Sequence, residues 1–155
     1  MNVTQFKDTE GRVWTLDINI GHYLKFKSSL SIDISDSFSA ENNWIAHIAA
    51  HENLETLLQM LEILIAKDLE SKNLTVEDFY GAVDGNVVAE ATDALLEAVV
   101  LFLPAHKQRA MRIIVDSVRV GIAKAEKRLE EETEQMMAKA SELMDENLEK
   151  LMESK

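Results

Sequence analysis

The sequence predicts a mainly α fold: a small N-terminal β-hairpin, a helical domain, and a long C-terminal helix. Three observations carry this. Strand-like alternation stops at Ile18. Beyond Asn19, apolar residues recur at three- and four-residue steps. From Lys124 onward the chain holds no Gly or Pro and is built of good helix formers. The expected organisation is a hairpin plus helical domain over 1–123 and an extended charged helix over 124–155. At 155 residues the chain can bury a core without disulfides or metal.

In the hairpin, Val3 to Lys7 supplies strand formers, and Asp8-Thr9-Glu10-Gly11 is a turn in which Gly11 can take a positive φ. Trp14, Leu16 and Ile18 then share one face, which Phe6 can join. A lone hairpin is marginal in water, so this one must rest on the helices.

Asn19 caps a helix from Ile20 to about Leu30, with Ile20, Tyr23, Leu24 and Leu30 on one side. Ser31 to Ser37 is irregular, with a brief alternation at Ile32 and Ile34. Ser39 caps a helix facing inward through Trp44, Ile45, Ile48 and Ala49, which breaks at His51-Glu52-Asn53. Leu54, Leu57, Leu58, Leu61, Leu64, Ile65 and Leu69 mark the clearest helix. Thr75 with Asp78 forms a capping box for a short helix through Phe79, Tyr80 and Val83, and Asp84-Gly85-Asn86 ends it. Val87 to Leu103 follows, with Val88, Ala91, Leu95, Ala98, Val99 and Phe102 inward. Pro104 breaks that helix and can open the next, whose inward stripe is Met111, Ile114, Val115, Val118 and Ile122. No breaker but Gly121 follows, which predicts one continuous helix of about 45 residues, roughly 65 Å at ~1.5 Å per residue.

The net charge of −12 argues against nucleic-acid binding, which needs clustered cations. The charge is uneven: −1 over 1–40, −10 over 41–104, +3 over 105–123 and −4 over 124–155. The longest charge-free run, Asn42 to His51, is about half of what a membrane span needs. Met1 to Phe6 shows no signal-peptide pattern. The absence of Cys removes disulfides, thiolate metal sites and a Cys nucleophile. The expectation is a soluble cytoplasmic protein.

Candidate chemistry is sparse. His47 and His51 lie four apart, one helical turn, with Glu55 a further turn on, but the pattern is not HExxH. The expected break at His51 separates these ligands, so no metal is expected. No nucleophile has an ordered base, and no Gly-rich phosphate loop is present. The chain therefore reads as a non-enzyme without a cofactor. Two features point instead to a protein partner. Lys107, Arg109, Arg112 and Arg119 run against the acidic trend. They either balance the acidic body or offer a docking face. In the tail, Leu129, Met137, Met144, Leu148 and Leu151 form an apolar seam for a client helix or for a homo-oligomer.

The opening Asp8-Thr9-Glu10-Gly11-Arg12-Val13-Trp14-Thr15-Leu16 resembles a group of tailed-phage and prophage proteins. These begin with a D-x-x-G-R-x-W hairpin, then an amphipathic helix and a V/I-D-L/I element. Lys25 to Ile34 looks like the second part, ending in Ile32-Asp33-Ile34. Glu77-Asp78-Phe79-Tyr80-Gly81-Ala82, Ala91-Thr92-Asp93-Ala94-Leu95-Leu96-Glu97 and Phe102-Leu103-Pro104 match later pieces, so the resemblance runs from residue 4 to about 120. Proteins of this kind look like tail assembly chaperones. The resemblance implies a non-enzymatic protein of the host bacterial cytoplasm, acting in virion morphogenesis. Its partner would be the tape measure protein, whose long hydrophobic helices it keeps soluble until the tail tube polymerises. No catalytic residues carry over. The charged helix over 124–155 departs from the shortest members. The alternative is a structural or adaptor protein that oligomerises through that helix.

Overall fold

The computed structural model describes residues 3–36, 44–49 and 53–154. In chain order the elements are β1 (Gln5–Lys7), β2 (Val13–Thr15), α1 (Ile20–Leu30), α2 (Trp44–Ala49), α3 (Leu54–Ser71), α4 (Val76–Tyr80), α5 (Gly85–Phe102) and α6 (Ala105–Glu153). The fold is mainly α with a two-stranded antiparallel hairpin at its start. The chain divides into two units, Met1–Val118 and Arg119–Lys155, with the boundary inside α6.

The hairpin pairs Phe6 with Trp14, and both side chains are fully buried. Its turn is closed by Asp8 N–H donating to Arg12 O at 3.0 Å and Gly11 N–H donating to Asp8 O at 3.1 Å. Gly11 sits at φ +80°, a conformation that costs a residue with a Cβ although no atom crowds the position. The Asp8 carboxylate organises the turn. It accepts from Glu10 N–H and Arg12 N–H at 2.9 Å each, from Arg12 Nε–H at 2.8 Å and from the Trp14 indole N–H at 2.9 Å. Its side chain has no solvent exposure. Burial pushes the carboxyl pKa up, but the Arg12 and Trp14 hydrogen bonds and the Arg12 charge outweigh it and hold the group below 3.8.

The support that a lone hairpin lacks comes from three helices. β1 lies against α5 and β2 against α3. Phe79 of α4 meets Trp14 edge-on at 5.1 Å and Phe6 at 6.2 Å. Thr9 N–H donates to Ala82 O at 2.9 Å, and an Arg12 Nη–H donates to Asp78 O at 3.3 Å. The hairpin turn is thereby stitched to α4 and the loop after it.

The capping signals act as written in the sequence. Thr75 and Asp78 form a reciprocal box at α4. Asn53 caps α3, so the helix break expected at His51-Glu52-Asn53 ends on a working N-cap, while His51 and Glu52 lie outside the described residues. Ser39, expected to cap the preceding helix, also lies outside them. Asp84, read as closing α4, caps α5 by accepting from Val87 N–H at 2.9 Å. Asn19 caps α1 with an unusual reciprocal partner, because Asn19 N–H donates to His22 Nδ1 at 3.1 Å.

Burial corrects one face and widens another. On α1 the inward residue is Phe26, flanked by half-buried Tyr23 and Leu30, whereas Ile20 and Leu24 are 63% and 57% exposed. The cause is a stack of Tyr23 on Phe102 at 5.9 Å, which turns the helix away from the Ile20–Leu24 line. On α5 the buried set exceeds one stripe and includes Val87, Ala94, Leu96 and Val100. Packed by β1 and α2, this helix is the central rod of the first unit. On α6 only Met111 and Val115 are fully buried, with Ile114, Val118 and Ile122 half-buried.

The buried Asp8 and Trp14 of the hairpin can each be tested by substitution. Replacing Asp8 with Asn puts an amide N–H among groups that are all donors, and should cost about 3 kcal/mol. Trp14→Ala should cost about 3–5 kcal/mol by emptying a fully buried site. Urea midpoints that stay at the wild-type value would refute both. The Asp8 contribution is present above its unfolded pKa near 3.8 and is lost as pH falls through the lower folded value.

At α1, burial first and then Lys25 and Lys67 lower the His22 pKa below 6.5, so the folded state favours the neutral ring that can accept from Asn19. That stability is present above pH 6.5 and declines as pH falls through the folded value. His22→Gln keeps a capping-box side chain without a titrating group. It should flatten the decline of stability as pH falls below 6.5, read by urea melts at each pH.

Candidate functional site

The distal part of α6 carries eight of the 17 large hydrophobic residues that are exposed among the described residues. Its eight Leu and Met residues, from Leu129 to Met152, are 55% to 77% exposed. At about 100° per residue, Leu129, Met137, Met144, Leu148 and Leu151 fall within an arc of roughly 100° on one side of the helix. Ala140 lies in the same arc and Met152 falls outside it. Good helix formers, with no Gly or Pro beyond Gly121, favour the helix in this segment. The structure thus leaves all five of these residues open, on a single helix face. In the second unit, every described residue other than half-buried Arg119 and Ile122 is exposed.

The cationic residues do not share one role. Arg112 makes a two-pronged contact with Glu97, each N–O distance 3.1 Å. The hydrogen bonds and charge of Glu97 raise the Arg112 pKa further above its ordinary value. This guanidinium is committed within the molecule, and it neutralises an acid of the body across the α5–α6 turn. Arg109 is exposed on α6, and Arg119 is half-buried at the start of the second unit.

A feature that sequence reasoning missed is an apolar groove of about 410 Å³ lined by Leu54, Leu58, Tyr80, Val83, Asp84, Gly85 and Val88. It forms where α3 begins, α4 ends and α5 begins. The sequence places Leu54 and Leu58 in the core stripe of α3. The first turn of a helix overshoots the body it packs on, however, and leaves Leu54 45% exposed. The Tyr80 hydroxyl donates to Glu62 at 2.8 Å across the rim. Burial, then that carboxylate, pushes the phenol pKa up to about 12, so it stays a donor.

The histidine pair gives no geometry to read. His47 lies in α2 and His51 lies outside the described residues. Among the described residues no group of three or more His, Asp or Glu stands close enough to hold a metal ion. No helix among them is long and apolar enough to cross a membrane.

The D-x-x-G-R-x-W signature has a structural explanation in full. Asp8 is the acceptor, Gly11 supplies the positive φ, and Arg12 and Trp14 are the donors. Arg12 also lines an open polar cavity of about 360 Å³ with Glu10, Glu77 and Asp78. The hydrogen bonds of the four residues account for how the hairpin is built. Comparison with protein families, with characterised proteins and with solved structures returns no match to this chain.

Proposed function

We propose that this protein is a non-enzymatic tail assembly chaperone of a tailed phage or prophage. It binds the tape measure protein in the host cytoplasm and keeps it soluble during tail morphogenesis. The observation that carries the reading is the open Leu/Met face of α6, built on a helix that stays formed without a partner. The hairpin signature supports it by resemblance.

The energetics suit a holder that must let go. Burying five Leu or Met side chains returns roughly 8–15 kcal/mol. Association costs about 4–15 kcal/mol. The surplus is modest, so the client can be released. Met adds adaptability, since its thioether side chain fits varied apolar partners. The body's acidity keeps the chaperone itself dispersed. A structural or adaptor role through the same helix is the second reading, and the same open Leu/Met face favours it.

The test is co-expression of a long, apolar-helical tape measure protein with the full chain or with a chain ending at Ala123. Every fully buried residue of α6 precedes that cut, so the shortened body should fold. The full chain should keep the client soluble, and the shortened chain should lose at least tenfold in soluble yield. If the shortened chain protects equally well, the arm is a bystander and the groove beside Tyr80 is the next surface to mutate. If neither protects, the chaperone reading fails.

A further inference from the structure

We infer that the groove where α3, α4 and α5 meet docks an amphipathic helix of a partner protein, one that carries Lys or Arg beside its apolar anchors. The groove belongs to the first unit and the distal α6 face to the second. The inference therefore goes beyond the chaperone reading and does not rest on it.

The floor of the groove is apolar and incompletely covered. Leu58, Val83 and Val88 are half-buried, and Leu54 and Tyr80 are 45% and 36% exposed. All five line one opening of about 410 Å³. That volume lies low in the ~300–1,000 Å³ range of ligand pockets. A pocket for a small molecule buries most of its ligand. Here Leu54, Tyr80 and Asp84 stand exposed at the rim, so a small molecule would stay wet on its outer side. A helix laid along the groove inserts its anchors and brings its own backbone as the cover.

Charge complementarity sets the chemistry of that helix. At about 100° per residue, Glu55 and Glu62 lie within roughly 60° of Leu58 on α3, and Asp84 lines the groove itself. Asp84 uses one oxygen to accept from Val87 N–H, and Glu62 uses one to accept from the Tyr80 hydroxyl. Among the described residues, Glu55, Glu62 and Asp84 form no ion pair. The lining brings no cation of its own. Residues 28–66 and 73–106, which include every lining residue, contain no Lys or Arg. Lys67 falls about 180° around α3 from Leu58. Lys72 lies over the Trp14 ring, roughly 20 Å along the axis from Leu58 and well past a Debye length of about 8 Å. Arg12, which reaches α4 from the hairpin, is held by Asp8 and by Asp78 O. An acidic partner would add like charge to this rim. An uncharged one would desolvate three carboxylates without a counter-charge. A basic amphipathic helix covers the floor and neutralises the rim together.

The surface is formed before any partner arrives. The Tyr80 hydroxyl, donating to Glu62 at 2.8 Å, holds the ring as one wall of the groove, and Asp84 fixes the start of α5 as another. Docking therefore orders little of this chain. The rim charges make the contact responsive to salt, while burial of the floor is screened far less.

The test uses the full-length protein and two helical peptides bearing a photo-cross-linking group. Both carry Leu at the same three- and four-residue steps; one is completed with Lys and the other with Glu. Mass spectrometry reads which residues are labelled. The Leu/Lys peptide should label 54–58 and 80–88, and the Leu/Glu peptide should label them at least tenfold less. The double variant Glu62→Gln, Asp84→Asn removes two charges but keeps an acceptor for Tyr80 and a capping side chain for α5. It should cut groove labelling about fivefold or more. Leu54→Lys sets a cation at the exposed mouth and should cut it at least tenfold. Glu142→Gln with Glu146→Gln removes the same charge from α6 and should leave groove labelling unchanged. Labelling confined to 129–152 overturns the inference and leaves the distal α6 face as the docking surface for such helices. Equal groove labelling by the two peptides overturns it, because charge then selects nothing. Groove labelling retained by both groove variants overturns it as well. A loss as large in the Glu142, Glu146 variant assigns the effect to net charge and overturns it too.

Discussion

The first unit depends on one buried carboxylate. Asp8 has no exposed side-chain surface, yet it accepts four hydrogen bonds from the backbone and side chains of its own turn. Burial of a lone carboxylate would be prohibitive. Here the Arg12 guanidinium supplies the opposite charge, and the Trp14 indole N–H gains the partner that a fully buried Trp requires. Satisfying Asp8 therefore fixes the direction of Trp14, and Trp14 fixes where Phe79 can sit. From there the order propagates: α4 is held by Phe79, and the loop after it is held by Thr9.

The second constraint is the central position of α5. Nine of its 18 residues are buried, far more than one amphipathic stripe provides. Small residues, Ala91, Ala94 and Ala98, let neighbouring elements approach on several sides. The buried Thr92 hydroxyl donates back to Val88 O at 2.7 Å, so it is not stranded in this core. The acids of the region are pushed to the rim, where Glu97 meets Arg112 and Glu62 meets Tyr80. The basic stretch of α6 is in part an answer to that rim.

The second unit obeys a different rule. Every described residue of its helix beyond Ile122 is exposed, and local helix propensity favours its form. A surface apolar face on such a helix is costly to maintain in an acidic protein unless something uses it. The proposed client is one use of that face.

Much of this was written in local sequence. The hairpin, its Gly11 turn, the Thr75–Asp78 cap, the Pro104 break and the long final helix all follow from neighbours within a few residues, where backbone sterics and capping act. The seam of Leu129, Met137, Met144, Leu148 and Leu151 is legible for the same reason, since no tertiary contact intervenes to hide it. What only the tertiary structure decided is which apolar residues find partners. Ile20 and Leu24 had the spacing of a core face but stay open, because Tyr23 stacks on a residue nearly 80 positions away. Arg112 looked like part of a docking face but is taken by Glu97. The groove at Leu54 and Tyr80 exists because three helix ends meet there, and no local pattern encodes that meeting. Periodicity reports which side of an element is apolar. Whether that side is covered depends on long-range packing, to which a local reading is blind.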